Sequence, residues 1–225
     1  MKLFLVGLVA LLFVACSSEK EKNKAFTIFY KVDYPLQKNN AFLYSILPKE
    51  TSLQISDNQV KNVINRANLQ NVWLFDCNKK EMEVFYQYGE EAFNVKLNPS
   101  DVKEMLDDQV EYNIELTGET KKIIGLNAKK AFATNKQNPS EKLTVWYTED
   151  FALNNPNWYN TFREIPGVLL EYSIEKYGIR MDYSAQKIVE DTSEVISKLS
   201  VPQKGNLISY DEYNQKMSKL FESFE

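Results

Sequence analysis

A chain of 225 residues that is 44% hydrophobic and 13% aromatic, with only seven Gly and seven Pro, suits one folded domain with short appendages and excludes collagen-like and disordered architectures. Its 27 basic and 31 acidic side chains leave a net charge of -4 with the lysines scattered, so the positive patch that nucleic-acid binding requires is missing. There is no histidine, which removes the commonest general base, metal ligand and nucleophile partner.

The chain opens "MKLFLVGLVALLFVAC": one Lys, an apolar run from Leu3 to Val14, then small Ala15 before Cys16. That is the shape of a secretory signal, and the run of about a dozen residues is short of the roughly 20 that a bilayer-spanning helix needs. Either an ordinary signal ends here at a chance cysteine, or the cysteine is an attachment point. Phe13-Val14-Ala15-Cys16 resembles the bacterial lipobox, with Phe13 standing where Leu, Val or Ile is usual. The resemblance implies cleavage before Cys16 and acylation of its thiol; two or three chains at about 0.8 kcal/mol per buried methylene hold a protein on a membrane stably. Residues 1–15 then form the signal peptide, 16–24 a lipidated tether and 25–225 a single domain. The tether "SSEKEKNK" is polar and without apolar periodicity, as a flexible linker is. Glu19 and Glu21 are similar to acidic signals that send some Bacteroidetes lipoproteins to the cell surface. The expected location is the cell envelope, as an outer-membrane lipoprotein facing either the periplasm or the exterior. With Cys16 acylated, Cys77 has no disulfide partner and reads as a half-buried thiol at a strand end.

Strand signals dominate the mature chain. In "AFTIFYKVDY", Phe26, Ile28, Tyr30, Val32 and Tyr34 share one face, with Thr27, Lys31 and Asp33 on the other. The same alternation puts Met82, Val84, Tyr86 and Tyr88 inward, then Val110, Tyr112, Ile114 and Leu116. It recurs at Val168, Leu170, Tyr172 and Ile174, and at Ile179, Met181 and Tyr183. Turn signals at Asp57-Asn58, Thr117-Gly118, residues 134–142 and Lys176-Tyr177-Gly178 separate the strands. Two helices are predicted. One starts at Pro99 and Ser100 with Val102, Met105 and Leu106 apolar; the other follows the capping-box pair Ser209 and Glu212, with Tyr213, Met217, Leu220, Phe221 and Phe224 on its apolar face. The fold class is mainly β (α+β), with an antiparallel sheet and one or two helices. Two short helices cannot cover eight or more one-sided strands lying flat, so the sheet either curls on itself or keeps a cavity for something apolar.

"KKIIGLNAKKAFAT" (121–134), "VWYTED" (145–150) and "REIPGVLLEYSIEKYGIRMDYSAQKI" (163–188) together resemble uncharacterised Bacteroidetes lipoproteins and secreted proteins named for a Gly-Leu-Pro-Gly-Leu-Ile signature. Ile165-Pro166-Gly167-Val168-Leu169-Leu170-Glu171 stands where the signature falls, with Glu164 replacing its first Gly. Ala128 stands where many relatives have Cys. The resemblance covers roughly residues 121 to 217. It implies a fold like that of the lipoprotein carrier LolA, a strongly curved half-barrel around helices that encloses an apolar space, and it brings no catalytic residue. Independently of it, Pro166 fixes φ and Gly167 permits positive φ or close backbone approach, so the pair aims the following strand.

No dinucleotide, P-loop, zincin, EF-hand or Cys-x-x-Cys pattern is present, and no cofactor is implied. Ser100/Lys103 and Ser184/Lys187 have Ser-x-x-Lys spacing, but the supporting motifs of that enzyme class are missing. Asp107-Asp108 and Glu90-Glu91 are the acidic pairs a glycan hydrolase would need in convergent form; adjacent carboxylates diverge and read as solvated turns. The aromatic excess is more informative. Trp146 and Tyr147, with Trp158 and Tyr159, flank a loop rich in Asn and Pro, "ALNNPNWYNTF". Such residues either contact a sugar or lipid headgroup or pack at the mouth of the curved sheet. Trp146, Tyr147, Trp158, Tyr172, Met181 and Tyr183 are the candidate lining of a site for an acyl chain or other hydrophobic small molecule. The alternatives are an accessory subunit of an envelope complex, with an exposed apolar patch, and a carboxylate-dependent glycan hydrolase.

Overall fold

The computed structural model describes residues 25–107, 109–191 and 199–222. The signal segment, Cys16, the tether, Asp108 and Phe224 lie outside the described residues.

The period-two stretches form strands in chain order: β1 (Ala25–Asp33), β2 (Glu50–Ser56), β3 (Gln59–Arg66), β4 (Leu69–Asp76), β5 (Glu81–Tyr88), β6 (Glu91–Leu97), β7 (Tyr112–Ile123), β8 (Leu126–Asn135), β9 (Lys142–Thr148), β10 (Val168–Lys176), β11 (Ile179–Asp191) and β12 (Asn206–Ile208). They make one 12-stranded sheet in the order β12-β6-β5-β4-β3-β2-β1-β11-β10-β9-β8-β7. Every pairing is antiparallel except β12 with β6. Short turns generate the meander. At Tyr177 and Gly178 both central residues have positive φ, 53° and 68°, the twist-matched geometry of a two-residue hairpin.

Among the described residues three α-helices accompany the sheet where one or two are predicted: α1 (Ala41–Ile46), α2 (Pro99–Asp107) and α3 (Tyr210–Glu222). α1 is too short to show apolar periodicity, and its start is fixed by Asn40, whose side chain accepts from the Leu43 amide at 3.0 Å. α2 is capped one residue earlier than its sequence suggests, by Asn98, which accepts from the amides of Ser100 and Asp101. Ser209 caps α3 as its spacing predicts, accepting from the Glu212 amide at 3.1 Å, and α3 buries Tyr213 and Met217.

Three inward assignments fail at strand ends and at the sheet edge. Tyr88 is 58% exposed at the end of β5; Val110 lies outside β7 and Leu116 is 51% exposed on it. β7 is an edge strand, and its register shifts between Leu116 and Thr120. A bulge there turns side chains away from the sheet's apolar face, and Thr117-Gly118 sits inside the bulge instead of forming a turn.

The sheet is strongly curled. β4 and β10 are separated by β3, β2, β1 and β11, roughly 24 Å across a flat sheet. Yet Lys176 Nζ of β10 stands 5.6 Å from the Trp73 ring of β4, and the hydroxyl of neighbouring Tyr177 donates to Asn214 of α3 at 2.9 Å. The curl lets the concave side hold most of the core, shared among α2, α3 and the loop 149–167. On the convex side Leu199 and Val201 cover Val72, Leu74 and Phe85. Leu36, Phe42 and Ile46, on the segment that carries α1, stay exposed.

Candidate functional site

The loop 149–167 leaves β9, crosses the concave face and returns as β10. Its return is set by the Pro166-Gly167 pair: a Cβ on Gly167 would lie 2.2 Å from the Thr148 carbonyl oxygen, so close backbone approach, and not positive φ, is what the glycine supplies here. Asn157 closes the loop from inside. Its buried side-chain amide donates to the carbonyls of Ile165 at 2.8 Å and Gly167 at 2.7 Å.

This geometry turns the loop's aromatics into the sheet. Tyr159 stacks on Phe75 of β4 with ring centroids 3.5 Å apart, and Trp158 is 8% exposed beneath the loop. Trp158 Nε1 is buried without an acceptor among the described residues. Phe162 meets Tyr172 edge-on at 6.3 Å, and Tyr172 stacks on Tyr183 at 4.7 Å. Tyr30 of β1 closes the group, edge-on to Tyr172, with its hydroxyl donating to the Leu169 carbonyl at 2.7 Å.

Between β4 and the β10–β11 hairpin the concave face therefore carries a strip that the loop covers only in part. Trp73, Tyr159, Tyr172, Ile174, Lys176, Met181 and Tyr183 are all half-buried along it. Burial pushes the phenols of Tyr30, Tyr159, Tyr172 and Tyr183 above their ordinary range, so the strip offers hydroxyl tips without negative charge. Tyr183 points its hydroxyl at Met181 Sδ, 3.4 Å away. Among the described residues the one cation on the strip is Lys176, 5.6 Å from the Trp73 ring and 5.1 Å from that of Tyr177. Burial alone pushes its ammonium down to about 8. The arrangement is chemically an apolar, aromatic strip with neutral polar edges and one ammonium at the hairpin end.

Of the residues singled out from sequence, Tyr172, Met181 and Tyr183 come together on this strip. Trp158 lies under the adjoining loop, and Tyr147 is buried behind it with Phe162 and Ile165. Trp146 faces the opposite side of β9, as strand alternation requires. There it is half-buried beside Lys121 Nζ at 4.2 Å and Lys130 Nζ at 6.0 Å, away from the strip. Trp73, Tyr30 and Lys176 are absent from the sequence-derived lining, whereas Tyr159, one of the aromatics singled out around the loop, joins the strip. For Lys176 the signal was present: counting by two from Leu170 through Tyr172 and Ile174 puts it on the apolar face, but Lys-Tyr-Gly was read as turn.

The weaker motifs settle on the surface. Glu91 pairs with Lys216 at 2.9 Å, Glu90 is exposed in a turn, and Ser100 Oγ donates to Asn98 at 2.6 Å. Cys77, expected half-buried, is fully buried just past β4, and burial pushes its thiol up to about 11. A hollow of about 500 Å³ opens at the rim between Asn65, Asn68, Gln70 and Gln87, outside the aromatic strip.

No family model and no curated protein matches the chain. Among solved structures, PNGF-II aligns in two crystal forms. In space group C2 the TM-score is 0.52 at 15% identity over 88% of this chain and 33% of PNGF-II; in P21 it is 0.54 at 16% over 88% and 34%. The chain spans about a third of the PNGF-II chains it matches, and the likeness is one of fold. LprF from Mycobacterium bovis aligns over 82% of this chain and 90% of its own at 15% identity, with a TM-score of 0.29 too low to relate the folds.

Proposed function

We propose that the protein is a lipid-anchored component of the cell envelope that holds an acyl chain or a similar apolar ligand along the concave face of its curled sheet, in the manner of a LolA-like carrier. The observation that carries this reading is the partly covered aromatic strip from Trp73 to Tyr183. Seven large side chains stay half-buried along this inner face, the mix of apolar and aromatic groups with a few polar tips that lines small-molecule sites. The crossing loop occupies much of the concavity, so the ligand is a single chain lying in a groove and not a bulky molecule enclosed in a barrel. Anchoring rests on Cys16, whose thiol would carry the lipid, and on the charged tether that follows it.

Native mass spectrometry with lipid extraction tests the ligand. The domain from Ser17 onward, which lacks the acylated Cys16 and is purified from a bacterial envelope without detergent, is expected to carry a stoichiometric non-covalent lipid. A clean apo mass, with no uptake of added fatty acids or phospholipids, would overturn the reading. In that event the interaction-subunit reading gains, because Leu36, Phe42 and Ile46 give the β1–β2 segment an exposed apolar surface. Crosslinking in intact membranes followed by pull-down would then identify what covers it.

A further inference from the structure

We propose that Lys176 binds the anionic head of the ligand, so that the strip is a site for a single-chain anionic amphiphile with a carboxylate or phosphate head. The proposal rests on the cleft reading above and adds a charge preference to it.

Three observations converge on Lys176. The first is placement: it is the last residue of β10, on the same face as Tyr172 and Ile174, and β11 sets Met181 and Tyr183 opposite those two. An alkyl chain laid along Tyr183, Tyr172, Ile174 and Met181 ends at the ammonium. The second is the absence of a partner. Lys121 with Glu171 and Lys129 with Glu149 form their ion pairs on exposed ground. Lys176 is packed into the curl between Trp73 and Tyr177, and among the described residues no carboxylate reaches it. The third is energetic: burial alone lowers the proton affinity of this ammonium, and no neighbouring charge offsets the penalty. A carboxylate or phosphate oxygen would supply that missing charge within a poorly hydrated site, where such a pair is strongest. The cation–aromatic contacts with Trp73 and Tyr177 hold the ammonium in position without neutralising it.

The head is thereby distinguished from the chain, and the test separates the two. Binding of laurate, dodecyl phosphate, dodecanol and dodecylamine to the detergent-free protein would be measured by titration calorimetry, with acetate and inorganic phosphate as chainless controls. Wild type is expected to prefer laurate or dodecyl phosphate over dodecanol by about tenfold or more, to reject dodecylamine, and to ignore the controls. Lys176→Met should bind laurate and dodecanol alike, while Lys176→Arg should keep the preference. Equal binding of laurate and dodecanol by wild type, or an intact preference in Lys176→Met, overturns the charge assignment and leaves the cleft reading in place. If none of the four chains binds wild type, the cleft reading falls and takes this proposal with it. The ratio of laurate to dodecyl phosphate affinities says which head the site favours.

Discussion

Lys176 makes a claim about stability that is independent of any ligand. Its pKa in the folded state lies near 8, below the ordinary 10.5, because burial disfavours the ammonium. Between pH 8 and 10.5 the unfolded chain holds a proton that the folded chain has released, so stability rises with pH across that window. Below pH 8 both states are protonated and the whole penalty is present. It is at most about 3 kcal/mol, and about 1–2 kcal/mol once the half-open position of the side chain is allowed for. Tyr177 and Tyr213, the phenols nearest to it on the hairpin and on α3, are raised by burial and stay neutral throughout. Lys176→Met is therefore expected to stabilise the apo protein at pH 7 by that amount, with the gain gone at pH 10.5 and above. Urea unfolding at the two pH values checks it; a loss of stability at pH 7 would mean that the ammonium has a favourable partner. A residue that weakens the empty fold is the kind a binding site retains. In sequence the same lysine looks like turn punctuation, because only the parity of β10 places it inside.

At the scale of elements, the crossing loop decides what the concave face can be. Its sequence leaves open whether its aromatics form a contact site or pack at the mouth of the sheet, and the fold uses the loop as a plug: Trp158 and Tyr159 point inward, and Asn157 ties the middle of the loop to its C-terminal end. Composition could not distinguish the two outcomes, since Asn and Pro suit any turn-rich segment and aromatics suit either a site or a core. The direction of the loop depends on the backbone contact of Gly167 with Thr148, which exists only once β9 and β10 have paired. Asn157→Leu keeps the volume and removes both donors, leaving two buried carbonyls unpaired. The expected cost is about 2–4 kcal/mol, read as a lower urea midpoint together with increased solvent exposure of Tyr159. A change under about 0.5 kcal/mol would show that the loop is held by its aromatic packing alone. The regular elements were far more legible. β5 and β10 coincide with their alternating stretches, and α3 begins where Ser209 predicts, because periodicity and capping are local and no distant partner is needed to express them. β7 was misread for the opposite reason: a bulge on an edge strand is settled by what the neighbouring strand does.

For the whole molecule, the shortage of helices in the sequence already forced a choice between a sheet that curls on itself and one that keeps a cavity, and the structure curls. Curling brings β4 and β10 together, yet it leaves two edges, β7 and β12, so the sheet stays open. The N-terminus of β1 is central to this sheet, between β2 and β11, and Ala25 is buried there. An anchor at Cys16 would thus be joined to the rigid centre of the fold through nine tether positions, 16–24, spanning at most roughly 30 Å when extended. The described strands and helices begin with Ala25, the first residue of β1. With residues 1–15 replaced by a cleavable secretory signal, so that no uncleaved Leu3–Val14 segment holds the chain, Cys16→Ser is expected to move the protein from the membrane fraction to the soluble envelope fraction, and to abolish incorporation of labelled palmitate. It should leave the unfolding free energy of the domain within about 0.5 kcal/mol of wild type and the laurate affinity unchanged. If the variant stayed with the membrane at high salt and alkaline pH, the attachment would be an apolar contact of the folded domain. The exposed Leu36, Phe42 and Ile46 would then be the first residues to replace with serine, since they are the apolar side chains that the curl leaves outside around α1.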